Sequence, residues 1–284
     1  MKRYGKVRAR FFWAVLWLGL AWSLPAGAQP AQRIVTLAPF LAELAYAAGA
    51  GDRLVGVSAY SDFPQAVKAL PVVADATGVN REALLALHAD TVLAWKGGNA
   101  ARHIEALRNS GVKVEVLDGG RLDDIPKLIR AIGALAGTQK EAGLSAARFA
   151  LQLAALRSRY ASRPDVTALI ELWHRPLLTV SGKHFMSDAI AVCGASNVYA
   201  NEAGVTPEIS MESVFRTDPQ AIIGAGLPGG EEDFRVAWSR FPALNAVRRG
   251  HLIYLDADLL HRQTPRILEG ISRLCVALEK VRIS

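Results

Sequence analysis

Asn80-Arg81-Glu82-Ala83-Leu84-Leu85, followed by Asp90-Thr91-Val92-Leu93-Ala94, is answered in the second half of the chain by Ser210-Met211-Glu212-Ser213-Val214-Phe215, followed by Gln220-Ala221-Ile222-Ile223-Gly224. In each copy a capping residue and an acid open an amphipathic turn of helix, polar residues break it, and an apolar β-branched run reads as a buried strand. The repetition predicts two similar α/β lobes. Each strand then runs into a glycine pair, Gly97-Gly98 or Gly229-Gly230, and in open α/β sheets ligands lie beyond the carboxyl ends of the strands. Two lobes facing each other across such loops make a cleft.

Working outward from the first copy, Arg33 to Leu37 reads as a strand, Pro39 to Ala48 as a helix ending at Gly49, and Leu54 to Ser58 as a second strand. Ile104 to Ser110 is a helix stopped by Gly111, Val112 to Leu117 a strand, and Ile125 to Ala136 a helix. Strands alternating with helices in this way favour a parallel or mostly parallel sheet. From Thr138 to Ala161 the chain turns rich in Ala, Leu, Arg, Glu and Gln and lacks proline, which predicts one long helix of roughly 36 Å. Ser162-Arg163-Pro164-Asp165 ends it, and Val166 to Leu172 opens the second sheet. The expected organisation is a leader over 1–28, an N-terminal lobe over 29–137, a linker helix over 138–163 and a C-terminal lobe over 164–284. A single stiff connector predicts lobes that move little, without a large hinge closure.

Lys2, Arg3, Lys6, Arg8 and Arg10 precede an apolar run from Phe11 to Trp22, and Ala26-Gly27-Ala28 supplies a small-residue cleavage pattern before Gln29. This is the form of a secretory signal peptide, the run being short of the roughly 20 residues of a membrane anchor. Five of the 33 basic residues and none of the 26 acidic ones lie in it, so the mature protein keeps only a slight positive excess. With no basic run, that excess does not support a nucleic-acid partner. Cys193 and Cys275 both survive processing into an oxidising compartment, where an even pair is expected to be bridged. Two buried free thiols are the alternative. Closing a loop of about 80 residues is worth roughly 4 to 5 kcal/mol in the chain-entropy model.

Catalytic signatures are sparse: there is no HExxH, GxxxxGK[ST], GxSxG or CxxC. Gly224-Ala225-Gly226-Leu227-Pro228-Gly229 matches GxGxxG after a strand, but Glu231-Glu232-Asp233 follows it and would oppose a pyrophosphate at the helix N-terminus. It is read as a plain strand-to-helix loop. His174, His184, His251 and His261 all lie in the second lobe at spacings that match no common metal pattern, and no metal site is expected. His174 stands out because Trp173-His174-Arg175-Pro176 follows a strand at the end facing the cleft. Tyr60 and Trp95 also follow apolar strands, among polar or glycine neighbours that suit a rim of flat faces and polar tips. A binding role is favoured for both over burial in the core.

Arg33-Ile34-Val35-Thr36-Leu37-Ala38-Pro39, Glu43-Leu44-Ala45, Val55-Gly56-Val57-Ser58-Ala59-Tyr60-Ser61-Asp62-Phe63-Pro64, Ala94-Trp95-Lys96-Gly97-Gly98-Asn99 and Thr264-Pro265-Arg266-Ile267, with Cys193 and Cys275, occur in an order and spacing that resembles the periplasmic vitamin B12-binding proteins of ABC importers. The likeness covers essentially the whole mature chain. It implies the helical-backbone (class III) substrate-binding fold: α/β, with two Rossmann-like lobes of mostly parallel sheet joined by a rigid helix. It further implies a periplasmic, non-enzymatic protein without a cofactor, monomeric when free, whose ligand is cobalamin or a related corrinoid. Tyr60, Trp95, Gly97, Asp258, Arg262 and Trp173 are the expected ligand-binding residues. Glu82 and Glu212, the paired acids of the repeat, are expected to dock onto arginines of a two-fold inner-membrane permease dimer. Ala76, Thr179, Thr206, Leu259 and Leu260 stand where the family pattern has further aromatics, and Trp173 or Phe185 is expected to compensate. A haem or ferric-siderophore ligand on the same scaffold, and a secreted metal-dependent α/β enzyme using His174 and His184, are the alternatives.

Overall fold

The computed structural model describes residues 29–283; the leader read over 1–28 lies outside them. A six-stranded sheet forms from β1 (Ile34–Thr36), β2 (Leu54–Ser58), β3 (Val72–Asp75), β4 (Gly78–Val79), β5 (Thr91–Trp95) and β6 (Lys113–Leu117), in the order β4-β3-β2-β1-β5-β6. All its pairings are parallel except β3 with the short edge strand β4. The second sheet, wholly parallel, holds β7 (Val166–Glu171), β8 (Ala195–Asn197), β9 (Ala221–Gly226) and β10 (Leu252–Asp256) in the order β10-β9-β7-β8. In both sheets the first strand lies inside and the order reverses beside it, which creates the crevice where α/β ligands settle.

Alternate side chains of the central strands feed different cores, as period-two geometry requires. Ile34 and Leu93 enter one apolar cluster, while Val35, Val92 and Ala94 enter a second on the other face. Likewise Ala168, Ile170 and Ile223 enter the first cluster, and Leu169 and Ile222 a third. The first cluster is continuous through both lobes, because the helix Gln139–Tyr160 lies across them with Ala142, Ala146, Phe149, Leu153 and Tyr160 buried along one stripe. Their separations of three, four and seven residues keep them on one helix face. Opposite, Leu144 and Leu151 are exposed. The connector is thus packed into the shared core along one face from Ala142 to Tyr160.

The repeat folds alike in both lobes. Asn80 Oδ1 accepts from the Ala83 amide at 3.0 Å and Ser210 Oγ from the Ser213 amide at 3.1 Å, capping the helices Arg81–Ala86 and Met211–Thr217. Leu84 and Val214, at matching positions, are both fully buried, and each contributes roughly 1.5 to 3 kcal/mol of apolar burial. Cys193 and Cys275 form the expected bridge, with Cα atoms 4.8 Å apart. It ties the end of the helix Phe185–Val192 to the C-terminal helix Ile267–Ile283. No helix among the described residues is long and apolar enough to cross a membrane.

Candidate functional site

The carboxyl edges of the two sheets face each other, and two polar seams hold them there. In the first, Arg262 donates through Nη1 to Glu43 Oε1 at 2.9 Å and Asp62 Oδ1 at 2.6 Å. Through Nη2 it meets Asp258 Oδ1 at 2.7 Å and the Tyr60 carbonyl at 3.3 Å. Arg266 adds a fork onto Glu43, Nε to Oε2 at 2.9 Å and Nη2 to Oε1 at 2.8 Å, while its guanidinium lies 4.0 Å from the Phe63 ring centre. In the second seam Arg121 reaches the Gly182 carbonyl and Asp188, Leu122 N donates to Asp188 Oδ2 at 3.1 Å, and Gln263 Nε2 donates to the Gly119 carbonyl at 3.0 Å.

Glu43 is 4% exposed in an otherwise apolar helix, Pro39–Ala47, and a carboxylate so placed is tolerable only because two guanidiniums meet it. Burial would raise the Asp62 carboxyl, yet hydrogen bonding and charge from Arg262 outweigh it and hold Asp62 below the usual carboxylate range. Burial, aided by Asp62 and Asp256 and opposed by Arg262, pushes the Asp258 carboxyl up. Three of the expected binding residues, Tyr60, Asp258 and Arg262, therefore meet at one corner of the cleft. Arg262 serves there as part of the frame, with each Nη shared between two oxygens.

On the N-terminal wall, Tyr60 follows β2 with its side chain projecting, the residue being 82% exposed, and with φ at 64°. A bulky residue in the left-handed region is a backbone outlier that the surrounding contacts must hold, and Arg262 grips its carbonyl. Trp95 ends β5 half-buried, its ring edge-on to Phe40 at 5.6 Å. The indole lies over Gly97 and Gly98: a Cβ built on Gly97 would fall 2.8 Å from the ring, and one on Gly98 would strike it. The glycine pair thus makes room for the indole, and Asn99 fixes the turn by accepting from Trp95 N at 2.7 Å and donating to the Leu37 carbonyl at 3.0 Å.

The C-terminal wall carries a cavity of about 550 Å³ at the carboxyl ends of β7, β9 and β10, lined by Glu171, Trp173, His174, Phe234, Ala237 and Tyr254 among others. Trp173 is 62% exposed at its mouth, with Nε1 donating to the Arg175 carbonyl at 2.8 Å. Below it, Glu171 Oε2 accepts from Trp238 Nε1 at 2.5 Å, and His174 Nδ1 stands 3.3 Å from Oε1. Burial raises the Glu171 carboxyl, opposed by Trp238 and His174. Phe185 is buried beneath its neighbour His184 in the main core, so of the two compensating aromatics only Trp173 offers surface. Thr179 turns inward to the Ile170 carbonyl at 2.6 Å, and Leu259 and Leu260 are buried. The GxGxxG loop is filled from behind, since the Tyr254 hydroxyl occupies the space a side chain at Gly226 or Gly230 would need.

Three further histidines lie in the second lobe. His251 Nδ1 lies 2.9 Å from the Gln220 carbonyl. His184 Nδ1 accepts from Met186 N at 3.2 Å, capping the helix Phe185–Val192, and burial with the nearby His261 lowers its pKa to about 4. Burial lowers His261 too. Among the described residues no group of three or more His, Cys, Asp or Glu is arranged to hold a metal. Glu82 and Glu212 are exposed in the first turns of the two repeat helices, Glu212 pairing with Arg216 at 3.0 Å. Sequence reasoning missed the roles of Glu43 and Trp238. An acid inside an apolar helical run was the available signal for the first; nothing local marked the second.

The chain matches the family described as periplasmic binding protein over residues 34–259. A vitamin B12-binding protein of Vibrio parahaemolyticus is 33% identical over 260 residues, spanning 92% of this chain and 94% of that protein. Among solved structures, the periplasmic vitamin B12 binding protein BtuF of Vibrio cholerae superposes with a TM-score of 0.82 at 33% identity, covering 90% of this chain and 99% of that one. The periplasmic heme-binding protein BhuT, solved with two hemes, shares the fold with a TM-score of 0.79 at 22% identity over 89% of this chain and 99% of its own.

Proposed function

We propose, from the premise that this chain belongs to the periplasmic binding protein family, that it captures a corrinoid, vitamin B12 foremost, between its lobes in the periplasm and delivers it to an inner-membrane ABC importer. The observation that carries this reading is the placement of Trp95 over its glycine pair at the carboxyl edge of the first sheet, within a chain similar along nearly its whole length to a vitamin B12-binding protein. A flat, half-buried indole beside an exposed tyrosine suits a large ring system bound mainly by apolar contact. Asp258 and Trp173 would supply polar and aromatic contact from the other lobe, while Gly97 and Arg262 hold the wall in shape.

Glu82 and Glu212 belong, in this reading, to the importer. Each heads a capped helix that returns to the amino edge of the next strand, which leaves its first turn toward the cleft side of its lobe. A two-fold permease offers two equivalent cationic sites, and such charge pairs set orientation and on-rate more than affinity. The test is titration of the purified protein with cyanocobalamin, followed by calorimetry and by the visible spectrum of the washed complex. Saturable binding at one ligand per chain is expected. Retention of haem or an iron chelate, with no uptake of cyanocobalamin, would replace the corrinoid by the other ligand class on this scaffold.

A further inference from the structure

The C-terminal cavity contains a side chain that the reading above leaves unused. His174 follows β7 and lines the cavity with 29% of its side chain exposed, while its Nδ1 is buried and stands 3.3 Å from Glu171 Oε1 without completing a hydrogen bond. Glu171 is itself anchored by the Trp238 indole donor at 2.5 Å, and Trp238, fully buried, also stands edge-on to the His174 ring at 5.9 Å. The imidazole is therefore braced on two sides. A carboxylate 3.3 Å away attracts a proton to Nδ1 rather than to Nε2, which leaves the lone pair on Nε2, at the outward edge of the ring. Histidines oriented by a carboxylate in this way are the ones that ligate metals through the free nitrogen. Protein donors alone build no metal site here among the described residues, so the metal must bring its other ligands with it, as a metallated macrocycle does.

We infer that His174 is an axial ligand for the cobalt of a bound corrinoid whose upper position carries water, an assignment that rests on the corrinoid reading. The Nε2 lone pair forms the N–Co bond as the Co–O bond breaks. Water leaves with its electron pair, the metal keeps its oxidation state, and no proton is transferred. A corrinoid whose upper position holds cyanide, which imidazole does not displace, would be bound by the cleft without this bond. The protein would thereby distinguish corrinoids by their upper ligand.

Parallel titrations with aquocobalamin and cyanocobalamin test the assignment. On binding wild-type protein, aquocobalamin should show a shift of its visible bands that cyanocobalamin lacks, and should bind at least tenfold more tightly than cyanocobalamin. In His174→Gln the spectral shift should vanish and the affinity ratio fall to about one. Glu171→Gln, which leaves an oxygen facing Nδ1, should keep the shift with a smaller ratio. Aquocobalamin bound to the wild type with an unshifted spectrum overturns the assignment without any variant, and a shift that persists in His174→Gln assigns the ligand elsewhere. If the wild type binds neither cobalamin, the corrinoid reading itself fails and the assignment falls with it. Cyanocobalamin binding with no aquocobalamin shift leaves that reading standing and removes only this one.

Discussion

The two lobes carry the same capped helix and buried strand but finish them in opposite ways. In the N-terminal lobe β5 ends in an aromatic, and the glycines after it make room for that aromatic's own ring. In the C-terminal lobe β9 itself ends in Gly224 and Gly226, whose vacant faces are filled from outside by Phe234 and Tyr254. One wall thus ends in a half-buried indole over its glycines, while the other recedes into a cavity over Glu171 and His174 with the exposed Trp173 at its mouth. The acids differ as well: Glu212 is paired with its own Arg216 at 3.0 Å, whereas Glu82 has no ion pair among the described residues. Repetition of a fold unit conserves topology and leaves the chemistry of each copy free to diverge, because the site lives in the strand-end residues rather than in the scaffold.

The comparison breaks most visibly at the importer. Reversing both acids, Glu82→Lys with Glu212→Lys, should abolish corrinoid uptake and permease binding while leaving ligand affinity nearly intact, since like charges would then oppose the permease's cations. Glu82→Lys alone should weaken complex formation more than Glu212→Lys, because Glu212 must first give up Arg216; pull-down with the permease in detergent ranks the two. A double variant that docks but no longer binds corrinoid would place the acids in the pocket.

The seam that holds the unlike walls together comes next in size. Glu43→Ala removes the carboxylate that Arg262 and Arg266 share and leaves Arg266 without an acid among the described residues, while Arg262 keeps Asp62 and Asp258, so the loss should fall at the lower end of the roughly 3 to 5 kcal/mol of a broken buried pair. Urea unfolding should register that loss. A change below about 1 kcal/mol, the range of an exposed ion pair, would mean that Asp62, Asp258 and the second seam hold the lobes without Glu43.

Acid should loosen the C-terminal lobe first. His184 titrates near 4 in the folded protein against an ordinary 6.5, chiefly through burial, so between those values the unfolded chain takes up a proton that the native state refuses. Stability is then complete above about pH 6.5 and declines as the pH falls toward 4, by up to roughly 3 kcal/mol at 1.36 kcal/mol per pKa unit. His261, lowered by burial too, acts in the same direction. Urea midpoints across that window should slope in the wild type and flatten in His184→Gln, and a flat wild-type profile would contradict the assigned burial.

The smallest effects separate the two walls directly. Trp95→Ala should weaken cyanocobalamin binding by roughly 1 to 3 kcal/mol, the cost of one well-packed aromatic anchor. Trp173→Ala, removing a ring already 62% exposed, should cost less. Calorimetry that reverses this order would move the weight of recognition to the second lobe.

Much of this architecture is written in neighbouring residues. Asn80 and Ser210 cap helices three residues from the amides they satisfy, and a strand buried on both faces must be apolar throughout, so both copies of the repeat are visible as patterns. The linker is equally plain, its buried stripe from Ala142 to Tyr160 lying within the stretch that composition alone marks as helix. The cleft was legible only in outline. Trp95 and Tyr60 are signalled by their place after strands, but the φ of 64° at Tyr60 has no sequence signature.

Arg262 meets Glu43 across 219 positions of sequence, and Trp238 reaches Glu171 across 67. No periodicity encodes such meetings. Capping, amphipathicity and strand burial depend on separations of two to four residues, which every chain of this pattern shares. Which carboxylate braces which guanidinium across the cleft follows only once the linker helix has set one sheet's carboxyl edge against the other's, while the meeting of Trp238 with Glu171 and the inward turn of Phe185 wait on the packing of the second lobe itself. Pairing between distant groups is decided by that relative placement, and each pair forms only where desolvating both partners is offset by bringing them together.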